Sequence, residues 1–137
     1  MDYYRNILIT GCSSGLGQAL FNRVWEDDNL TPFAHYRSEH GDPHALIGDI
    51  TDPDFPEKLD NHIRKYQIDC FINNAGVYQG DIIDTNLASQ IRILQVVYKY
   101  FLERERGRII NINSVAGLYP SANESIYCAS KFGLKGF

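Results

Sequence analysis

The chain has 137 residues, 44% hydrophobic and 22% charged, with a net charge of −4. That length suits one domain able to bury most of its apolar surface without disulfides or metal. The acidic balance excludes a nucleic-acid surface, which needs clustered Lys and Arg, and the dense run ERERGR at 103–108 is mixed in sign and reads as a solvated helix end.

Short apolar runs alternate with longer segments of helical period. NILIT (6–10) reads as a buried strand, followed by a helix over 15–25 with Leu16, Leu20 and Val24 on one face. PFAHY (32–36) is a second strand and ALI (45–47) a short third. Residues 54–66 carry Phe55, Leu59, Ile63 and Tyr66 at amphipathic helical spacing, with Pro56 in the first turn, where a missing N–H costs nothing. DCFINN (69–74) is the fourth strand. A long helix over 84–105 aligns Leu87, Ile91, Leu94, Tyr98 and Phe101; GRIININS (107–114) is the fifth strand, and another helix starts at Ser125. Strands alternating with helices predict a parallel α/β sheet covered on both faces, with a ligand crevice beyond the carboxyl ends of the strands.

Cys12, Cys70 and Cys128 are far apart and form no CxxC pair, and the histidines at 35, 40, 44 and 62 lack ligand spacing, so no disulfide framework and no metal site is expected. No apolar run approaches the ~18 residues of a membrane span. A strand beginning at residue 6 leaves no room for a signal peptide. These features predict a soluble cytoplasmic protein without membrane or nucleic-acid partners.

The motifs fall at the predicted strand ends. TGCSSGLG (10–17) runs from the first strand into the first helix, where glycines allow a tight turn and the helix N-terminus offers unpaired N–H groups that suit a pyrophosphate. Its spacing, G-x-x-x-G-x-G, differs from the common G-x-G-x-x-G. Arg37 follows the second strand, and no Asp or Glu occupies 34–37, which favours the 2′-phosphate of NADP(H) over NAD(H). Asp49, in GDI after the third strand, offers a carboxylate to the adenine amino group. Asn73, Asn74, Ala75 and Gly76 end the fourth strand with residues that let a ribose and nicotinamide approach the backbone.

Tyr127 and Lys131 stand one helical turn apart. An ammonium beside a phenol favours the phenolate, which lets a tyrosine exchange protons nearer neutral pH. Carbonyl reduction by NAD(P)H needs such a donor. Ser114 could hydrogen-bond the substrate oxygen, and Asn86 could hold a water that feeds protons to Lys131.

TGCSSGLG, NNAG, the TN of Asn86, INSVAG with Ser114, and YCASK occur in the order found in the classical short-chain dehydrogenase/reductase family, which the chain resembles from about residue 6 to its last. The resemblance implies a Rossmann-like, doubly wound parallel sheet of about five strands in order 3-2-1-4-5, helices on both faces, forming one NAD(P)-binding domain over 1–137. It implies Tyr127 as catalytic acid/base, Lys131 on the nicotinamide ribose, Ser114 orienting the substrate carbonyl and Asn86 completing a tetrad through water. It places Gly11, Ser13, Ser14, Gly15, Leu16 and Gly17 on the diphosphate, Asp49, Ile50 and Asn74 around the adenine and its ribose, and Ala75 and Gly76 beside the nicotinamide. Ser14 is not basic, so Arg37 alone argues for phosphate.

Two departures accompany it. Only nine residues separate Gly76 from Asn86, fewer than is usual, so the pocket wall is trimmed and Asn86 is expected to shift. The sixth and seventh strands and the substrate lid of the family are missing. GRIININS would then be an exposed apolar sheet edge, and the chain is expected to be a piece of a longer enzyme. The expected function is hydride transfer between NADP(H) and a carbonyl or alcohol. The alternatives are an inactive nucleotide-binding module or, using the same Y-x-x-x-K, an extended-type epimerase or dehydratase. Val77, Tyr78, Val115, Leu118 and Tyr119 are candidate pocket residues. The helix from 84 and the Tyr127 helix usually form the family's dimer contact, implying a homo-oligomer.

Overall fold

Apolar residues alternate between the two faces of one sheet, and each face is buried by helices. The computed structural model describes residues 4–137. Strands β1 (Asn6–Ile9), β2 (Thr31–Tyr36), β3 (Leu46–Ile47), β4 (Cys70–Asn73) and β5 (Arg108–Asn111) are all parallel, in the order β3-β2-β1-β4-β5. Helices α1 (Gly15–Trp25), α2 (Phe55–Lys65), α3 (Ser89–Glu103) and α4 (Ser125–Gly136) connect or follow them. Both the doubly wound architecture and the strand order agree with the expectation from sequence.

The strand period of two sorts side chains between the faces. Leu8 and Phe71 point to one face, where Phe55, Leu59 and Ile63 of α2 and Ile93, Leu94, Val97 and Phe101 of α3 close over them. Ile7, Ile9, Cys70 and Ile72 point to the other, against Leu20, Phe21 and Val24 of α1. Leu16 departs from the expected apolar stripe: it is 53% exposed at the start of α1 and faces a groove rather than the core. Pro32 interrupts β2 where β3, paired only at His35 and Tyr36, no longer runs beside it, so the absent N–H breaks no ladder.

The long helix expected over 84–105 is not uniform. Its first turn, Asp84–Ala88, is π-helical and only Ser89–Glu103 is α-helical. The extra residue in a π turn rotates the rest of the helix about its axis. Leu94 and Phe101 reach the core as expected, with Val97 and Tyr100 beside them, whereas Tyr98, expected inside, is 59% exposed. Apolar residues cover more than one face of this helix, which left the buried stripe ambiguous.

At the amino ends of the strands the polar groups are paired. Asp69 accepts from the backbone N–H groups of Arg5 (3.3 Å) and Asn6 (3.2 Å) and meets the guanidinium groups of Arg104 (3.5 Å) and Arg106 (3.4 Å). Arg104 also donates to the Ile68 carbonyl and the Tyr100 hydroxyl, both at 2.8 Å. At the other edge of the sheet β5 has β4 as its sole neighbour among the described residues, and Ile110 is 38% exposed. No described helix is long and apolar enough to cross a membrane.

His62 of α2 is buried between Phe33 and Tyr66, and its Nε2 has no hydrogen-bond partner. Burial pushes its pKa down from 6.5 to about 4. The unfolded chain thus takes up a proton that the folded chain refuses, and stability falls as pH drops from 6.5 towards 4. His62→Leu is expected to flatten that limb in urea midpoints measured against pH. An unchanged slope would refute the assignment.

Candidate active site

The turn from β1 into α1 is fixed by what packs behind it. Thr10, fully buried, accepts through Oγ1 from the backbone N–H groups of Asn74 and Ala75, both at 2.9 Å, so the end of β1 is tied to the end of β4. The Asn74 amide donates back to the Thr10 carbonyl at 2.9 Å. Gly17 fits between them: a Cβ there would stand 2.1 Å from the Gly11 carbonyl oxygen and 2.6 Å from Asn74 Nδ2. Gly15 takes a left-handed φ of +56°. Ser14, the N-cap of α1, makes no side-chain cap bond, so the first N–H groups of the helix lack that partner.

A cavity of about 430 Å³ opens beyond these strand ends. Gly11, Ser13, Ser14, Leu16, Gly17, Arg37, Asp49, Ile50, Asn74, Ala75 and Gly76 all line it, each one expected from sequence. Gly15 shapes the turn without lining the cavity. His35, Val77 and Thr85 line it too, and of these sequence reasoning missed His35 and Thr85. A signal for His35 existed: it lies beside the carboxyl end of the second strand, where the crevice is expected. Arg37 is exposed and forms no ion pair among the described residues. Asp49 accepts from the N–H (2.9 Å) and hydroxyl (2.8 Å) of Thr51 through one oxygen; those bonds, the backbone one foremost, hold its pKa below the usual carboxylate value.

A second cavity, about 230 Å³, is lined by Ile112, Asn113, Tyr78, Tyr127 and Lys131 and shares Asn74, Gly76 and Val77 with the first. The two cavities therefore adjoin at the Asn74–Val77 wall, one beside the glycine loop and the other beside the tyrosine–lysine pair. The Lys131 ammonium lies 5.7 Å from the centre of the Tyr127 ring. It is buried without a carboxylate partner among the described residues, and burial lowers its pKa. Asn113, which sequence reasoning passed over, donates to the Lys131 carbonyl at 3.1 Å and so ties the end of β5 to α4. The Tyr78 ring stands edge-on to Tyr127, centroids 5.0 Å apart, and its hydroxyl donates to Glu124 at the start of α4.

The side chains of Asn86 and Ser114 are both engaged in local hydrogen bonds. Asn86, fully buried in the π turn, spends its side chain on Val77, donating to its carbonyl at 2.6 Å and accepting from its N–H at 2.7 Å. The shortened connection is thus closed by a two-bond clamp, and a water would have to be held by the Asn86 backbone. Gln90, one turn on, donates to the Ala75 carbonyl at 2.8 Å. Ser114 Oγ accepts from Ala116 N at 3.1 Å and caps a 3-10 turn, Val115–Gly117; Ser114 is not among the cavity-lining residues, though its hydroxyl proton is uncommitted. Of the pocket candidates, Val77 and Tyr78 line the groove, whereas Val115, Leu118 and Tyr119 are exposed outside it.

The sequence model of the short chain dehydrogenase family matches residues 5–137. The 3-oxoacyl-acyl-carrier-protein reductase of Salmonella typhimurium is 30% identical over 155 aligned residues, covering 95% of this chain and 63% of that protein. The reductase of the same name from Mycobacterium avium is 28% identical, covering 96% of this chain and 58% of that protein. A crystal structure of actinorhodin polyketide ketoreductase with NADPH superposes with a TM-score of 0.85 at 28% identity, covering 97% of this chain and 62% of that one. The chain therefore spans about three fifths of the length of the relatives it matches.

Two substitutions test the geometry. Lys131→Met removes an unpaired buried charge and is expected to raise the urea midpoint, whereas a fall would mean the ammonium is well solvated. Asn86→Ala leaves the N–H and C=O of Val77 without partners and is expected to cost about 2 kcal/mol in urea unfolding; a neutral result would mean the clamp contributes nothing.

Proposed function

The chain belongs to the short chain dehydrogenase family, and from that premise we propose that it serves an NADP(H)-dependent oxidoreductase that interconverts a carbonyl and an alcohol. The observation that carries this reading is that the cavity at the glycine loop and the cavity at Tyr127 and Lys131 share the wall of Asn74, Gly76 and Val77. The residues fit the cofactor. The uncapped N-terminus of α1 and the Gly11–Gly17 contact suit a diphosphate at close range. Arg37 suits a 2′-phosphate, and Asp49 and Ile50 suit an adenosine. The relative solved with NADPH supports the same choice.

The nicotinamide, when bound, supplies a hydride. In our reading the Tyr127 hydroxyl donates the proton that balances it, to the carbonyl oxygen of the substrate. The Lys131 ammonium, 5.7 Å from the centre of the Tyr127 ring, takes the ribose hydroxyls as the partners it otherwise lacks. Ser114 turns its free hydroxyl proton to the substrate oxygen. Asn86 contributes indirectly, by holding Val77 and the adjoining wall and leaving its backbone carbonyl for a water. Relatives named for 3-oxoacyl and polyketide reduction support the reductive direction. Tyr98 and Leu102 on α3, and Ile126 and Phe132 on α4, are exposed apolar side chains that support association of copies through these helices.

A nucleotide-binding role without turnover is the second reading, favoured by the position of Ser114 outside the cavity lining. Titration with NADPH and NADH, followed by nicotinamide fluorescence, tests the site. NADPH is expected to bind more tightly, with Arg37→Asp weakening it about tenfold or more and favouring NADH. No binding of either would overturn the proposal. Tyr127→Phe is expected to lower turnover of a carbonyl substrate at least ~100-fold with binding intact; binding without turnover in the wild type would establish the second reading.

A further inference from the structure

His35 stands at the carboxyl end of β2, 3% exposed, with both ring nitrogens engaged. Nδ1 lies 3.2 Å from the Gly11 backbone N–H, which can only donate, and Nε2 lies 2.8 Å from the Gly48 carbonyl, which can only accept. The ring is therefore neutral, bare at Nδ1 and protonated at Nε2. Its own carbonyl accepts from Cys12 N at 3.0 Å. One residue thus binds the glycine loop twice and the opposite wall once. That wall, Gly48 to Ile50, is anchored on its own side by the two residues of β3, by Gly48 N to Tyr36 O and Asp52 N to Asp49 O, both at 3.0 Å, and by Ile50 in the buried core, and the His35 ring ties it across to Gly11. Phe55 packs near-perpendicular to the imidazole at 5.1 Å and keeps it from swinging away, while the ring lines the cavity.

We propose that His35 is a positioning residue for the dinucleotide, a strut that sets the separation between the diphosphate loop at Gly11 and the adenosine wall at Gly48–Ile50. The inference rests on reading the groove as the NADP(H) site. The groups around the ring are the Cys12 thiol behind the loop, Arg37 and Asp49 at the groove, and Lys58 and His62 on α2. Desolvation is the largest effect and lowers the pKa below 6.5, against the Gly48 hydrogen bond and then the Asp49 charge, which favour the charged ring, so the strut is intact at neutral pH. Adding a proton at Nδ1 would set two N–H groups against each other and release Gly11.

The test compares variants of the full chain. An Asn side chain can place its oxygen where Nδ1 stands, a Gln side chain can place its amide where Nε2 stands, and a Leu side chain supplies neither. His35→Leu is expected to weaken NADPH binding about tenfold, and His35→Asn and His35→Gln, each of which keeps only one end of the bridge, to weaken it measurably as well. If the Leu variant does not fold, the two half-bridge variants decide, wild-type binding by either one counting against the strut. With NADP⁺, the wild type is expected to lose affinity relative to His35→Asn as the pH falls below 6.5. Both proteins share the protonation of the 2′-phosphate near pH ~6, so the ratio of affinities is the readout. In the free wild-type chain, the Gly11 amide resonance is expected to titrate with the His35 ring. Equal binding by Gln, Leu and wild type, a constant affinity ratio, or a Gly11 amide blind to the ring would each overturn the strut while leaving the cofactor reading standing. A wild type that binds neither nucleotide would overturn both.

Discussion

The contact that organises this molecule is the one between Gly17 and Gly11, where helix and strand-end backbone meet with no room for a side chain. It lets α1 begin directly against the carboxyl end of β1, and it is locked from behind by Thr10 and Asn74. Because the helix starts there, its free N–H groups face the groove rather than solvent at large. Because Asn74 is spent on Thr10, the β4 end follows the glycine loop, and Ala75 and Gly76 line the same cavity. A Cβ at Gly17 would act on the geometry of both strand ends, and steric exclusion here outranks any single hydrogen bond nearby.

The two ends of the sheet use polar groups in opposite ways. At the amino end, Asp69 has two backbone donors and two guanidinium partners, an arrangement that holds β1, β4 and the end of α3 together. At the carboxyl end, Lys131 is buried without an anion, and Asn73 and Gln90 each keep a side-chain oxygen with no partner. Buried groups in that state destabilise a fold. Of the three, Lys131 lines the cavity beside Tyr127, where a polar ligand would supply the partner it lacks.

Much of this was legible in the chain. NILIT and DCFINN are β-rich runs bounded by turn residues, and Pro56 and Gly15 mark helix starts whose bounds the structure reproduces within a residue or two. Nearly all the groove lining could be placed because glycine loops and strand ends are local features. The π turn at Asp84–Ala88 was not legible, since the Asn86 clamp on Val77 and the Gln90 bond to Ala75 that surround it cross a loop of unpredictable path.

By itself the sequence determined the order of strands and helices, the glycine geometry and the one-turn spacing of Tyr127 and Lys131. These depend on period, backbone sterics and near neighbours. Only the tertiary structure decided that His35 bridges Gly11 and Gly48, that Ser114 caps a turn beside the cavity, and that Asn86 holds Val77 with its side chain. Each of these choices allots a polar atom among several partners. Which partner wins depends on distances set by the packing of separate elements, and local sequence carries no measure of that.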